Sequence, residues 1–342
     1  MTARRPTVAL CGAGMIAGAH AVAAKELGLA VTVVASRTRE RAAALASRIG
    51  ATAVGYGDLP AGADLVVVST PPAQHADDAI RFLDTGAAVL LEKPLCRTLA
   101  EADRLVDAAA AHGERLLYAE NLAYAPVVGE MLRRLPALGD VTTLEVRSLQ
   151  ALPTWGAFTT DEWGGGALFD LGVHPLGVAL LLARPATPVS VRATLLGGEG
   201  HGSDEHAEVD ITFSNGLHGR VVSSWQAGPE PLWDAQVSSA TGVLRAEILP
   251  VPTLEHDGEP VPLPGMTTEV APIEQYGYVG QMRALVDDAA AGRRPLMDAA
   301  FGREVLDVVL GAYCSAGRHG ESVPLPFGGS RTVTPLEVWH TG

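Results

Sequence analysis

Thr7-Val8-Ala9-Leu10-Cys11-Gly12-Ala13-Gly14-Met15-Ile16-Ala17 decides how the rest of this chain folds. Thr7–Cys11 is a short apolar run of the kind that forms a buried strand, and two glycines follow at once. The pattern G-x-G-x-x-A then opens a helix through Ala19, Val22, Ala23 and Lys25 to a stop at Gly28. Each small residue has a physical task. Gly12 makes the tight turn, Gly14 lets a pyrophosphate approach the backbone, and Ala17 allows close helix–strand packing. The first N–H groups of the helix lack internal partners and present partial positive charge to phosphate. A strand before and a helix after make this a dinucleotide site, with Gly12, Gly14, Met15 and Ile16 as its lining.

Outward from there, Val31–Ala35 is a second strand, ending in Ser36-Arg37-Thr38-Arg39. An NAD site usually carries Asp or Glu at this point to hold the ribose hydroxyls. Ser36 and Arg37, with Arg41 one turn on, suit a 2′-phosphate instead. NADP(H) is the expected cofactor and NAD the alternative. Asp64–Thr70 is the most strand-like segment, and Pro71-Pro72 stops it before a helix over Gln74–Thr85. Val89-Leu90-Leu91, preceded by Ala88, reads as a buried parallel strand, and Glu92-Lys93-Pro94 follows directly. In an open parallel sheet, ligands bind at the carboxyl ends of the strands, so Lys93 stands where chemistry would occur. Lys25 and Lys93 are the only lysines in a chain that otherwise uses arginine. Lysine is a compact donor whose pKa can move when buried, which arginine does not offer. Thr98–Ala111 is a further helix with a capping box at Thr98 and Glu101, and Arg115–Asn121 closes the half as a sixth strand. Alternating strand and helix predict a doubly wound parallel sheet, with a nucleotide domain over residues 1–122.

After Pro126 the alternation stops. A helix over Val127–Leu135 leads to a strand at Val141–Leu149, and short strands follow at Val189–Leu196, His206–Phe213, Leu217–Gln226, Trp233–Ser239 and Gly242–Leu249. Val209, Ile211 and Phe213 alternate with Glu208, Asp210 and Thr212, and Asn215-Gly216 and Thr241-Gly242 supply hairpin turns. These features predict a large, mostly antiparallel sheet over residues 123–342. The proline-rich stretch Pro250–Pro272 reads as a loop-rich excursion with a turn at Asp257-Gly258, and helices over Tyr278–Ala290 and Ala299–Ala316 return toward the core.

Within this half lies Trp163-Gly164-Gly165-Gly166-Ala167-Leu168-Phe169-Asp170-Leu171-Gly172-Val173-His174-Pro175. Three glycines let backbone pass close to a ligand. Asp170 and His174 are one helical turn apart, so on a helix they point the same way. A carboxylate beside an imidazole can fix its tautomer and raise its basicity, as acid/base catalysis requires. Pro175 disfavours helical geometry at His174, which works against that placement.

A formal charge of −14 argues against a nucleic-acid partner or an anionic membrane surface. Three scattered cysteines, Cys11, Cys96 and Cys314, argue against disulfides and structural zinc and for a reduced, cytoplasmic location. Arg4-Arg5 before an apolar run mimics a secretory signal, but Gly12, Gly14 and Gly18 interrupt it. No apolar run reaches the roughly 18 residues of a membrane span. His201, Asp204, Glu205 and His206 read as a polar loop rather than a metal site, so no metal is expected.

Gly12-Ala13-Gly14 after the first strand, Glu92-Lys93-Pro94 after the fifth, and the G-G-G-x-x-x-D-x-x-x-H of Gly164–His174 together resemble the Gfo/Idh/MocA oxidoreductases. Thr70-Pro71-Pro72 with His75, Asn121 with Pro126, and the run from Tyr278 to Pro326 extend the resemblance along nearly the whole chain. The resemblance implies a Rossmann domain followed by an α/β domain with a large antiparallel sheet, one face of which serves a homodimer or homotetramer. It implies a cis peptide before Pro94, a catalytic set of Lys93, Asp170 and His174, and cofactor contacts that include Thr70, Pro71, His75 and Glu92. Substrates would be sugars, cyclitols or nucleotide-linked sugars, with Asn121, Tyr124, Trp155 and Trp163 as candidate contacts. Two other readings stand beside this one: a non-catalytic sensor of dinucleotide and sugar, and elimination of a glycosidic bond with transient use of NAD.

Overall fold

The computed structural model describes residues 4–59, 62–163, 165–264 and 271–341. Contacts divide the chain into two units, the first comprising residues up to Cys96, Glu101–Tyr124 and Ala271–Arg303. Its elements are β1 (Thr7–Cys11), α1 (Met15–Glu26), β2 (Ala30–Ser36), α2 (Arg39–Ile49), β3 (Thr52–Gly55), β4 (Leu65–Val68), α3 (Pro72–Leu83), β5 (Ala88–Glu92), α4 (Leu99–Ala111) and β6 (Leu116–Ala119). The six strands pair in parallel in the order β3-β2-β1-β4-β5-β6, a doubly wound sheet. The order in which successive strands are added reverses between β1 and β4, which opens a crevice at their carboxyl ends. β4 and β5 are buried along their whole length, because helices cover both faces. β3 is the strand that the sequence count of six includes without locating its residues. It has four residues, none of them buried, and sits at the sheet edge.

The core of this unit is made by small and branched residues: Val8 and Leu10 of β1, Ala17, Ala21 and Ala24 of α1, and Val67 and Leu90 of β4 and β5. Val279, Met282 and Leu285 join that cluster from a helix far down the chain, so the unit is not one continuous stretch.

The second unit holds α5 (Pro126–Arg134), β7 (Val141–Leu149), α6 (Ala167–Asp170), α7 (Val173–Ala183), β8 (Pro188–Gly197), β9 (Asp204–Phe213), β10 (His218–Ser224), β11 (Leu232–Ser239), β12 (Val243–Leu249), β13 (Thr253–His256) and β14 (Glu259–Pro260). The helices α8 (Pro272–Gln275) and α9 (Tyr278–Ala291) belong to the first unit. From Glu304 onward α10 (Ala299–Gly317), then β15 (Val323–Pro324) and α11 (Pro335–Thr341), belong to the second. Among the described residues its sheet has nine strands, ordered β14-β13-β12-β11-β7-β10-β9-β8-β15. All neighbours are antiparallel except β7 and β10. The stretch expected as loop beyond Pro250 contains the β13–β14 hairpin, turned by Asp257 and Gly258 at φ +54° and +82°. Each strand is too short to show a period of two, which is why proline content dominates the reading there. Residues 265–270 of that stretch lie outside the described residues. α7 is buried on every side, consistent with its nearly all-apolar sequence. No described helix is long and apolar enough to cross a membrane.

Candidate functional site

In the first unit the strand ends meet as the glycine pattern requires. Gly12 has φ +124°, and a Cβ there would lie 2.5 Å from the Ser69 carbonyl oxygen. Gly14 faces open space, with nothing within 4 Å of where its Cβ would be, and α1 begins beyond it with no side-chain cap. Here is a helix N-terminus with uncovered donors and room for a phosphate pair. Met15 is exposed and Ile16 half-buried beside it. At the end of β2, Ser36 Oγ accepts the Thr38 N–H at 3.2 Å, and Arg37 is exposed. No carboxylate occurs over Ser36–Arg39. These residues fit a dinucleotide, including one with a 2′-phosphate.

Lys93 follows β5 directly, half-buried, and its bond to Pro94 is cis. His75 fixes this corner. Its Nδ1 lies 2.8 Å from the Pro94 carbonyl oxygen and its Nε2 lies 2.7 Å from that of Thr70. Burial pushes its pKa down, against the two carbonyl contacts that raise it. A neutral imidazole donates one N–H, so it bonds one of the two carbonyls at a time. His75 is 1% exposed and therefore braces the corner from inside rather than lining its surface. Thr70 Oγ1 donates to Asp78, which also accepts from the Tyr56 hydroxyl, and Pro71 is half-buried at the turn. Glu92, 7% exposed, receives His20 of α1 at 2.6 Å (Nε2 to Oε1), and the imidazole edge meets Tyr278 of α9. The helix that starts at the phosphate cradle is thus bonded to the residue before Lys93. His20 carries no motif signal beyond its spacing on α1, so the sequence reading missed it. Asn121 donates to the Tyr276 carbonyl at 2.6 Å, and Tyr124 packs against Gly280 of α9, so both residues are tied to the returning helices.

In the second unit, α6 ends at Asp170 and α7 begins at Val173. Leu171 and Gly172 between them keep right-handed helical angles, so Asp170 and His174 stay about one turn apart. Pro175 is the third residue of α7, in the first turn where no N–H is needed, which resolves the conflict its sequence position raised. Asp170 and His174 are 7% and 6% exposed. Gly165 and Gly166 precede α6 at φ +64° and +138°, while Gly164 lies outside the described residues.

Around these helices gather four of the five tryptophans. Trp155 meets Phe158 edge-on at 4.7 Å, and Phe158 meets Trp163 at 5.2 Å. Phe158 and Trp225 form a small core with Ala167 and Leu171, against which Trp163 and Trp233 pack. The Trp233 ring lies 5.2 Å from that of His174, tilted by 37°. Among the described residues the indole nitrogens of Trp225 and Trp233 have no hydrogen-bond partner, unusual for buried indoles. Sequence reading singled out Trp155 and Trp163 but not Trp225 or Trp233, which lie at strand ends and carry no motif. Of the polar residues after β8, His201 pairs with Glu205 at 3.1 Å, His206 faces Glu208 at 3.5 Å, and Asp204 turns inward.

Residues 7–120 match the family model described as "Oxidoreductase family, NAD-binding Rossmann fold", and residues 134–245 match the "GFO/IDH/MocA C-terminal domain". The chain is 34% identical to a dTDP-3,4-didehydro-2,6-dideoxy-alpha-D-glucose 3-reductase of Streptomyces violaceoruber, over 57% of this chain and 61% of that protein. It is 28% identical to a scyllo-inositol 2-dehydrogenase (NADP(+)) of Bacillus subtilis (strain 168), over 57% and 63%. With both, the match spans about three fifths of the relative's length. The crystal structure of GenD2 from gentamicin A biosynthesis in complex with NAD superposes at a TM-score of 0.83 with 25% identity, covering 95% of this chain and 97% of the other.

Proposed function

Because the chain belongs to the Gfo/Idh/MocA oxidoreductase family, we propose that it transfers a hydride between NADP(H), or less favourably NAD(H), and one carbinol or ketone carbon of a sugar, cyclitol or nucleotide-linked sugar. The observation that carries this reading is Lys93 at the carboxyl end of β5, in the same sheet whose β1 ends on the open cradle at Gly14. The named activities of the relatives on a dTDP-linked sugar and on an inositol support the substrate class.

The cofactor, when bound, supplies the hydride acceptor or donor at nicotinamide C4. Gly12, Gly14, Met15 and Ile16 would hold its pyrophosphate, and Ser36 with Arg37 its 2′-phosphate. His174 takes the hydroxyl proton in oxidation and returns it in reduction. Lys93 would donate a hydrogen bond to the substrate oxygen and stabilise negative charge developing there. Asp170 orients the imidazole from one turn earlier. His75 and Glu92 act on Lys93 through the backbone, by bracing the Pro94 corner and by joining it to α1. Trp155, Trp163 and Trp233 offer flat faces to the C–H side of a sugar ring.

The test is nicotinamide absorbance with both cofactors and a panel of pyranosides, inositols and nucleotide-linked sugars. Lys93→Ala and His174→Ala should each lower turnover by roughly 10²-fold or more. A near-normal rate in either variant removes that residue from the mechanism. No absorbance change with any member of the panel favours the sensor or elimination readings instead.

A further inference from the structure

Asp204 opens β9 and is completely buried. Its Oδ2 accepts the Leu168 N–H at 2.8 Å, and its Oδ1 accepts the Tyr313 hydroxyl from α10. Leu168 is the second residue of α6, so its N–H is one of the first-turn donors that a helix leaves without an internal partner. A Ser, Thr, Asp or Asn at the N-cap ordinarily takes such a donor. The N-cap here is Gly166, which has no side chain to offer, and the acceptor comes from a strand 36 residues further along. Gly166 makes this geometry accessible. At φ +138°, a Cβ on it would lie 1.8 Å from Asp204 Oδ1 and 2.7 Å from the Tyr313 hydroxyl. The two backbones also form an isolated parallel bridge.

Among the described residues Asp204 has no ion pair with Lys or Arg. The titratable groups that face it are Tyr313 on α10 and His201 in the loop before β9, and Asp170 on α6 bears on Tyr313 in turn. Burying a carboxyl without a counter-cation is costly, and a neutral side chain would fill the same space more cheaply. We infer that Asp204 is a positioning residue for the reaction: as a remote cap on α6 it holds Asp170, and through it His174, in working geometry. This rests on the acid/base assignment of His174 made above. Gly166 thus has a second task besides close approach to ligand, which is to clear the path for this carboxyl.

Asp204→Ala, Asp204→Asn and Tyr313→Phe, each in the full chain, test it with three measurements: hydrogen exchange at the Leu168 amide, kcat and KM on the panel substrate with the highest wild-type rate, and NADPH affinity. In Asp204→Ala the Leu168 protection should fall about tenfold and kcat by about 10- to 100-fold, with NADPH affinity unchanged. Asp204→Asn keeps an acceptor for Leu168 and should restore both protection and kcat to within about fivefold. Tyr313→Phe removes one of the two bonds and should give an intermediate loss of both, which carries the test if Asp204→Ala does not fold. Unchanged Leu168 protection in the Ala and Phe variants overturns the cap. Lost protection with unchanged kcat overturns the positioning role. A harmless His174→Ala, by contrast, defeats the assignment of the acid/base residue, and the Leu168 exchange result then still reports on the cap by itself.

Discussion

Asp204→Asn removes one buried charge at nearly constant volume, and its effect on stability should depend on pH with a definite sign. Burial pushes the Asp204 carboxyl from its ordinary 3.8 up to about 7, against the lowering effect of the Tyr313 and Leu168 hydrogen bonds. Between those two values the native state holds a proton that the unfolded chain has released. Stability from this group is therefore fully present below about pH 4 and lost as pH rises through about 7. At 1.36 kcal/mol per pH unit, the full rise corresponds to about 4 kcal/mol, an upper bound on the swing. The Asn variant carries no such charge, so across this window it should gain about 2–4 kcal/mol on the wild type. The assay is urea unfolding of both proteins at several pH values from about 4 to 8, read as the difference in unfolding free energy. Taking the difference cancels the titration of distant carboxylates. A difference that stays flat across the window would falsify the buried-charge argument.

Other expectations follow from single contacts. Arg37→Asp should weaken NADPH far more than NADH, measured by fluorescence titration; equal losses would show that the 2′-phosphate is held elsewhere. His20→Phe leaves the buried Glu92 without its imidazole and should destabilise the protein by about 3 kcal/mol in urea unfolding, and a change below about 1 kcal/mol would mean the pair is not structural. Trp233→Phe keeps an aromatic face beside His174 but deletes the indole N–H. It should raise KM for the sugar about five- to tenfold with little change in NADPH affinity, and an unchanged KM would place the substrate away from this ring.

Much of the framework was legible because burial on both faces leaves a plain signature. β4 and β5 read as unbroken apolar runs, since helices cover both sides of a parallel sheet. β9 showed its alternation because Ala207, Val209, Ile211 and Phe213 are buried while the residues between them are not. Residues at strand ends and in glycine turns stood out for the same reason, namely that local backbone geometry restricts which residue types fit. β3 was not located and the β13–β14 hairpin escaped notice, both being short elements at sheet edges with little burial to impose a pattern.

What the sequence determined alone was local: where strands end, where glycine must turn the chain, that Lys93 follows one strand end, and that Asp170 and His174 stand four apart after a glycine run. Pairings across long separations were decided by the tertiary structure. His20 meets Glu92 across 72 residues, Tyr313 meets Asp204 across 109, and α9 completes the core of the first unit. Such contacts depend on a carboxyl or an apolar face finding its partner after the chain has folded back. No periodicity of 2 or 3.6 residues encodes which distant partner that will be.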